Sequence, residues 1–185
     1  MNDSWEKLYS ECAACHACEL SETRTNCVFG AGSKNADLLF VGEAPGDNED
    51  KTGTPFVGRA GKLLDEYLAA VGIERKSVYI ANILKCRPPK NRDPLPAEED
   101  ACMEFLRRQV RLIQPKVIVC LGRISAMRLI KPDFKITKEH GTWFEKGNFL
   151  ITAVYHPALL LRDPRKKEEM LEDMKTIKNK LDELK

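Results

Sequence analysis

The sequence predicts an α/β fold in which helices cover a parallel sheet. Four short runs rich in Val and Ile have the length and unbroken apolar character of strands buried on both faces. Longer stretches with apolar residues at helical spacing separate these runs. This alternation is typical of parallel sheets, because parallel strands need long crossover connections. We expect a single domain over residues 1–185, since a chain of this length need not split.

The predicted elements follow one another along the chain. Strands are expected at residues 38–41, 78–83, 117–121 and 149–154. The helix after the first strand has its apolar face at Leu63, Leu64, Tyr67, Leu68 and Val71. The helix before the third strand has its apolar face at Cys102, Phe105, Leu106, Val110 and Ile113. A C-terminal helix places Met170, Leu171, Met174, Ile177, Leu181 and Leu184 on one side, and we expect it to close the core.

The composition excludes several classes of protein. With 43% hydrophobic and 31% charged residues the chain is not disordered, and its apolar runs are too short to span a membrane. The first residues, MNDSWEKLYSEC, lack the features of a secretory signal, so we expect a cytoplasmic protein. Seven cysteines are too few for a disulfide scaffold, and we expect them to be reduced or metal-bound. A net charge of +2 means that any contact with DNA must be local.

Polar residues stand where three of the predicted strands end. Glu43 lies in a Gly/Pro turn after the first strand, Asn82 lies late in the second, and His156 follows the fourth. Ligands of open α/β sheets bind outside the carboxyl ends of the strands, so these three side chains are candidates for a binding or catalytic site. A solvated cap, a turn former and a hydrogen-bonded His are the alternatives for each residue taken alone.

The cysteine spacing indicates a metal site. Cys15 and Cys18 form a C-x2-C pair, and Cys86 and Cys102 are separated by fifteen residues that include the start of a predicted helix near Pro96. A ferredoxin motif does not continue after Cys18, and zinc sites more often use two tight pairs. Zinc nevertheless stays open as the metal, and so does a purely apolar role for Cys102. Cys120, inside a strand pattern, is expected to face the core.

Two basic segments follow the candidate site strands. Residues 85–92, KCRPPKNR, carry four positive charges and no acid, and residues 162–167, RDPRKK, have a net charge of three. Phosphates attract such segments, although a solvated surface loop is the alternative for either one. The glycine-dotted stretches match neither G-x-x-x-x-G-K-S/T nor G-x-G-x-x-G, which excludes a nucleotide-hydrolysing P-loop.

Three segments together resemble the iron–sulfur, family 4 uracil-DNA glycosylases: GEAPGDNEDKTGTPFVGRAGKLLD, VYIANILKCRPPKNRDP and VYHPALLLRDP. The resemblance implies a three-layer α/β/α fold with a central four-stranded parallel sheet. It also implies a [4Fe-4S] cluster on Cys15, Cys18, Cys86 and Cys102. Related proteins that trap DNA covalently carry a His in the loop after the second strand, and KCRPPKNRDPLP has none.

The same resemblance implies roles for the residues of a uracil pocket. Phe56 would stack on the flipped base, Asn82 would read its O4 and N3–H, and His156 would donate a hydrogen bond to O2. Gly42 and Ala44 would offer backbone contacts. Glu43 would position water or stabilise the sugar cation, although the superfamily's best-known branch has Asp in this motif.

Contacts with DNA are expected from both basic segments and from the leucines after His156. Arg87, Lys90 and Arg162 would bind phosphates, and Leu160 or Leu161 would fill the gap left by the flipped nucleotide. The expected activity of this monomer is hydrolysis of the N-glycosidic bond of deoxyuridine in single- and double-stranded DNA. A non-catalytic iron–sulfur module that binds uracil or damaged DNA, and a zinc-stabilised binding module, are the alternatives.

Overall fold

The computed structural model describes residues 3–185, and its centre is a six-stranded sheet. The strands are β1 (Ala31–Gly32), β2 (Leu38–Gly42), β3 (Tyr79–Asn82), β4 (Val117–Leu121), β5 (Phe144–Lys146) and β6 (Phe149–Val154). The order across the sheet is β1-β3-β2-β4-β6-β5. The four inner strands are parallel, and β1 and β5 pair antiparallel at the two edges.

Nine α-helices lie within residues 3–185. They are α1 (Trp5–Ala13), α2 (Leu20–Thr23), α3 (Asp47–Thr52), α4 (Arg59–Ala70), α5 (Pro96–Ile113), α6 (Arg123–Leu129), α7 (Ile136–Glu139), α8 (Pro157–Arg162) and α9 (Lys167–Glu183). Short 3₁₀ turns cover Arg75–Ser77, Pro89–Asn91 and Pro164–Lys166. No helix within residues 3–185 is both long and apolar enough to cross a membrane.

The strands are apolar throughout because both faces of the sheet are covered. Leu38 and Phe40 of β2 belong to the core shared with α4 and α9, whereas Leu39 and Val41 belong to the core shared with α5 and α6. Successive strand residues point to opposite faces, so a strand covered on both faces needs apolar side chains at every position. The α/β class and the four parallel strands are therefore confirmed.

The two edge strands were not predicted from the sequence. β1 has two residues and β5 has three, which is too short for a recognisable apolar pattern. They extend the predicted four-stranded sheet to six strands. The C-terminal helix α9 closes one core as expected, with Met170, Met174 and Ile177 buried, but Leu184 lies outside this face and is exposed.

The chain order creates a crevice at one edge of the sheet. From β2 the chain moves outward to β3, then returns to the other side of β2 for β4 and β6. A reversal of this kind separates the connections that follow β2 and β4 and leaves space at the carboxyl ends of the strands. Asn82 is paired with Gly42 in the register of β2 and β3, so the two residues meet at this edge.

Candidate active site and cysteine pocket

A pocket of about 620 Å³ opens at the carboxyl ends of the parallel strands. It brings together the predicted side chains of Glu43, Phe56, Asn82 and His156, although they come from four separate segments of the chain. Ala44 and Arg162 also line it. The polar strand ends singled out in the sequence therefore share one cavity.

Asn82 carries an unsatisfied hydrogen-bond acceptor in this pocket. Its side chain is buried, with 2% of the residue exposed, and its Oδ1 has no hydrogen-bond partner among the residues that the structure describes. Gly42 makes room for it, because a Cβ at that position would overlap Asn82 Oδ1 and approach the Phe56 ring to 2.8 Å. A buried acceptor without a donor costs about 1 to 3 kcal/mol. A ligand that donates a hydrogen bond to Asn82 Oδ1 would remove this cost.

His156 is held as a neutral hydrogen-bond donor. The Ala158 N–H donates to His156 Nδ1 at 3.1 Å, at the start of α8, so Nδ1 carries no proton and the neutral ring carries its proton on Nε2. Burial, and to a smaller extent the nearby positive charge of Arg162, lower the pKa of His156 to about 4. The ring is therefore neutral at pH 7.

The turn that carries Phe56 is braced by two residues that the sequence analysis missed. Phe56 has a φ of 52°, which is uncommon for a bulky residue, and its ring centroid lies 5.7 Å from that of His156. Arg75 donates to the carbonyls of Pro55 and Phe56 at 2.8 and 2.9 Å. Glu49 Oε1 accepts from the N–H groups of Val57 and Gly58, each at 3.1 Å. Neither residue has a local pattern that would reveal this role.

Glu43 lies half-buried in the same pocket. Burial, and to a smaller extent the negative charge of Asp93, raise the pKa of its carboxyl group to about 7. Arg123 opposes the shift, but it is also paired with Asp93 at 2.8 Å. The carboxyl group therefore exchanges its proton near neutral pH.

The cysteines implied as cluster ligands converge on a second pocket. Cys15, Cys18, Cys86 and Cys102 line it, together with Cys12. The Lys85 N–H donates to Cys102 Sγ at 3.2 Å, and Arg24 Nη1 donates to Cys86 Sγ at 3.2 Å. Hydrogen bonds of this kind stabilise thiolates that bind iron. The other two cysteines do not line this pocket. Cys27 forms a hydrogen bond with Cys12, with 3.1 Å between the sulfurs, and Cys120 faces the core as predicted.

A model of the uracil DNA glycosylase superfamily matches residues 29–178. The type-4 uracil-DNA glycosylase of Archaeoglobus fulgidus is 45% identical over 183 residues, which cover 95% of this chain and 92% of that protein. The chain belongs to the type-4 uracil-DNA glycosylases. The type-4 uracil-DNA glycosylase of Sulfurisphaera tokodaii is 44% identical, over 95% of this chain and 84% of that protein. The type-4 uracil-DNA glycosylase of Thermotoga maritima is 47% identical, over 80% of this chain and 79% of that protein.

In this type-4 glycosylase the loop of residues 85–92 is less free than its sequence suggested. Lys85 was predicted as part of a basic segment that attracts phosphates. This is wrong, because its side chain points into the protein and only 1% of the residue is exposed. Arg92 is paired with Glu98 at 2.6 Å, and Arg87 is paired with Asp47 at 3.2 Å. Lys90 is exposed at the tip of the loop. The charges that looked alike in the sequence therefore have different surroundings.

Leu160 does not fit its predicted role. It was one of two candidates for the residue inserted into DNA, but it is fully buried in the core between α8 and its neighbours. Consecutive residues of a helix point about 100° apart, so Leu161 faces outward while Leu160 faces inward. Leu161 is 36% exposed and precedes Arg162, which lines the pocket of Glu43, Asn82 and His156.

Proposed function

We propose that this chain hydrolyses the N-glycosidic bond of deoxyuridine in single- and double-stranded DNA, releasing uracil and leaving an abasic site. The observation that carries the proposal is that the unpaired acceptor of Asn82 and the neutral donor of His156 line one pocket. Together with the Asn82 NH₂ group, this set matches uracil, which offers one N–H between two carbonyl oxygens.

The pocket requires a base outside the duplex. Flipping the nucleotide costs a few kcal/mol of lost stacking and pairing, and the Phe56 ring replaces part of the stacking. Asn82 Oδ1 then accepts from uracil N3–H, and its amide NH₂ donates to O4. Cytosine presents the opposite pattern at these two positions, so Asn82 selects against it.

Bond cleavage places negative charge on uracil O2 and positive charge on the sugar. The His156 Nε2–H donates to O2, where a contact that strengthens as charge develops lowers the barrier. Because His156 stays neutral, it transfers no proton. Glu43, in its ionised form, stabilises the sugar cation or orients the attacking water.

The surface around the pocket binds the DNA strand. Leu161 fills the gap left by the flipped nucleotide, and Arg162 contacts the adjacent backbone. Lys90 and Arg87 approach phosphates from the loop on the other side, Arg87 with part of its charge already balanced by Asp47. The chain acts on DNA as a monomer.

Cys15, Cys18, Cys86 and Cys102 fit a [4Fe-4S] cluster. The support for this fit is that all four thiol groups line one pocket although they come from three separate segments of the chain. A cluster binds each thiolate at a different iron atom, so its ligands need not meet at one point. When bound, the cluster supplies a rigid crosslink between the N-terminal segment, the loop after β3 and α5.

The test is a glycosylase assay on a labelled oligonucleotide with one uracil, in matched single- and double-stranded forms. Thymine and hypoxanthine oligonucleotides serve as controls. We expect alkali-sensitive abasic sites from the uracil substrates and their loss in Asn82→Ala. Specific binding of uracil-DNA without base release would support the non-catalytic module instead. Metal analysis of protein purified without air distinguishes iron from zinc.

A further inference from the structure

Lys85 is a fully buried lysine that the proposed reaction does not use. It lies directly after the strand that carries Asn82 and directly before Cys86, and 1% of it is exposed. Charged side chains are almost never fully buried unless they are paired. Its hydrogen bonds are therefore the key to its role.

The polar groups of Lys85 are bonded to three parts of the protein. Its Nζ donates to the Asn82 carbonyl at 3.0 Å and to Gln109 Oε1 of α5 at 2.7 Å. Its backbone N–H donates to Cys102 Sγ at 3.2 Å, and its carbonyl accepts from the Val28 N–H at 2.7 Å. One residue thus joins β3, the N-terminal segment and the helix that carries a cluster ligand.

Gln109 is itself held in place, so this attachment is rigid. Its Nε2 donates to the Phe29 carbonyl at 2.8 Å and to the Tyr79 hydroxyl at 3.2 Å. Gln109 is fully buried. A buried network in which each member is bonded holds one geometry, because any displacement leaves a polar group unpaired.

We propose that Lys85 is a positioning residue for base recognition, which fixes the carboxyl end of β3 against α5 and thereby aims the Asn82 amide into the pocket. The inference rests on the proposed function of Asn82. The carbonyl that Lys85 contacts belongs to Asn82 itself, so a shift of that carbonyl also moves the Asn82 side-chain amide. Lys85 also connects Asn82 to Cys102 through its own hydrogen bonds.

The experiment is a double-mutant cycle between Lys85→Met and Asn82→Ala. Methionine has similar length and no donor, so it removes both Nζ bonds. Single-turnover excision of uracil is measured for the wild type, both single variants and the double variant. Affinity for an oligonucleotide with uncleavable 2′-fluoro-deoxyuridine is measured in parallel, with iron content and absorption spectrum. Lys116→Met, near Asp37 at the opposite end of the strands, is the control.

We expect Lys85→Met to lower uracil excision by at least about tenfold, the effect of one unpaired buried group. Iron content should stay at the wild-type level, since the four cysteines remain. In the double variant, Lys85→Met should change the rate and affinity of Asn82→Ala by less than about twofold, because residues acting through one another are not additive. Lys116→Met should match the wild type.

If the fold-losses of excision rate in the two single variants multiplied in the double variant, the proposal would be overturned, since Lys85 would then act independently of Asn82. If Lys85→Met does not fold, Gln109→Leu replaces it in the cycle, because it removes the anchor of Nζ and leaves the Asn82 contact. Full additivity there would equally overturn the proposal. A wild-type protein that binds but does not cleave would refute the proposed function alone, and the cycle would be read from the affinities.

Discussion

Replacing Glu43 by Gln should stabilise the protein at alkaline pH while impairing the reaction. Burial raises the pKa of Glu43 to about 7 from a usual 4.5. Above pH 7 the folded protein must keep a half-buried charge that the unfolded chain exposes to water. Between pH 4.5 and 7 the folded state holds a proton that the unfolded state has released, so the free energy of unfolding falls as pH rises through this window.

The magnitude follows from the two pKa values. At about 1.4 kcal/mol per pH unit, the difference between 7 and 4.5 sets a ceiling of about 3 kcal/mol. Because the carboxyl group reaches the open pocket, we expect about 2 kcal/mol. For a protein of this size that corresponds to a rise in Tm of about 4 to 8 °C at pH 8.5. At pH 5 the advantage should nearly vanish.

Thermal unfolding of wild type and Glu43→Gln, monitored from pH 5 to 8.5 at equal iron content, measures this effect. Glu66→Gln, on the exposed face of α4, is the matched control and should follow the wild type at each pH. A gain in Tm that does not change with pH, or a loss at pH 8.5, would refute the reasoning. The single-turnover rate of the wild type should rise through pH 7, and Asp93→Asn should move that midpoint lower by removing a neighbouring negative charge.

Three further outcomes are expected. Cys86→Ala should lose iron, colour and stability together, whereas Cys120→Ser should keep its iron; a full iron complement in Cys86→Ala would remove it from the ligand set. Asn82→Asp should lower uracil excision by at least about tenfold, since a carboxylate repels O4, and wild-type rates in an excision assay would contradict base reading. Leu161→Ala should weaken excision from duplex more than from single-stranded DNA at unchanged Tm, whereas Leu160→Ala should lower Tm by removing buried packing; the reverse pattern in a paired activity and melting experiment would reassign the two leucines.

Local pattern was sufficient for the main elements of this fold. A run such as Val117–Leu121 predicts a strand covered on both faces, because it is short, rich in Val and broken by no polar position. The three strand-end residues Glu43, Asn82 and His156 were placed together correctly, since carboxyl ends of parallel strands share one edge. The two-residue strand β1 was beyond reach, because its pairing with β3 supplies almost all that defines it.

The sequence by itself determined the succession of the four parallel strands and the three long helices along the chain, the polar residues at the carboxyl edge and the spacing of the cysteines. Burial periodicity and turn chemistry act over a few residues, so they can be read along the chain. Only the tertiary structure decided that Lys85 points inward, that Leu160 is core while Leu161 is exposed, and that Arg75 braces the Phe56 turn. These choices depend on partners far away in sequence, such as Gln109 for Lys85, and on which direction a helix side chain faces once its neighbours have packed.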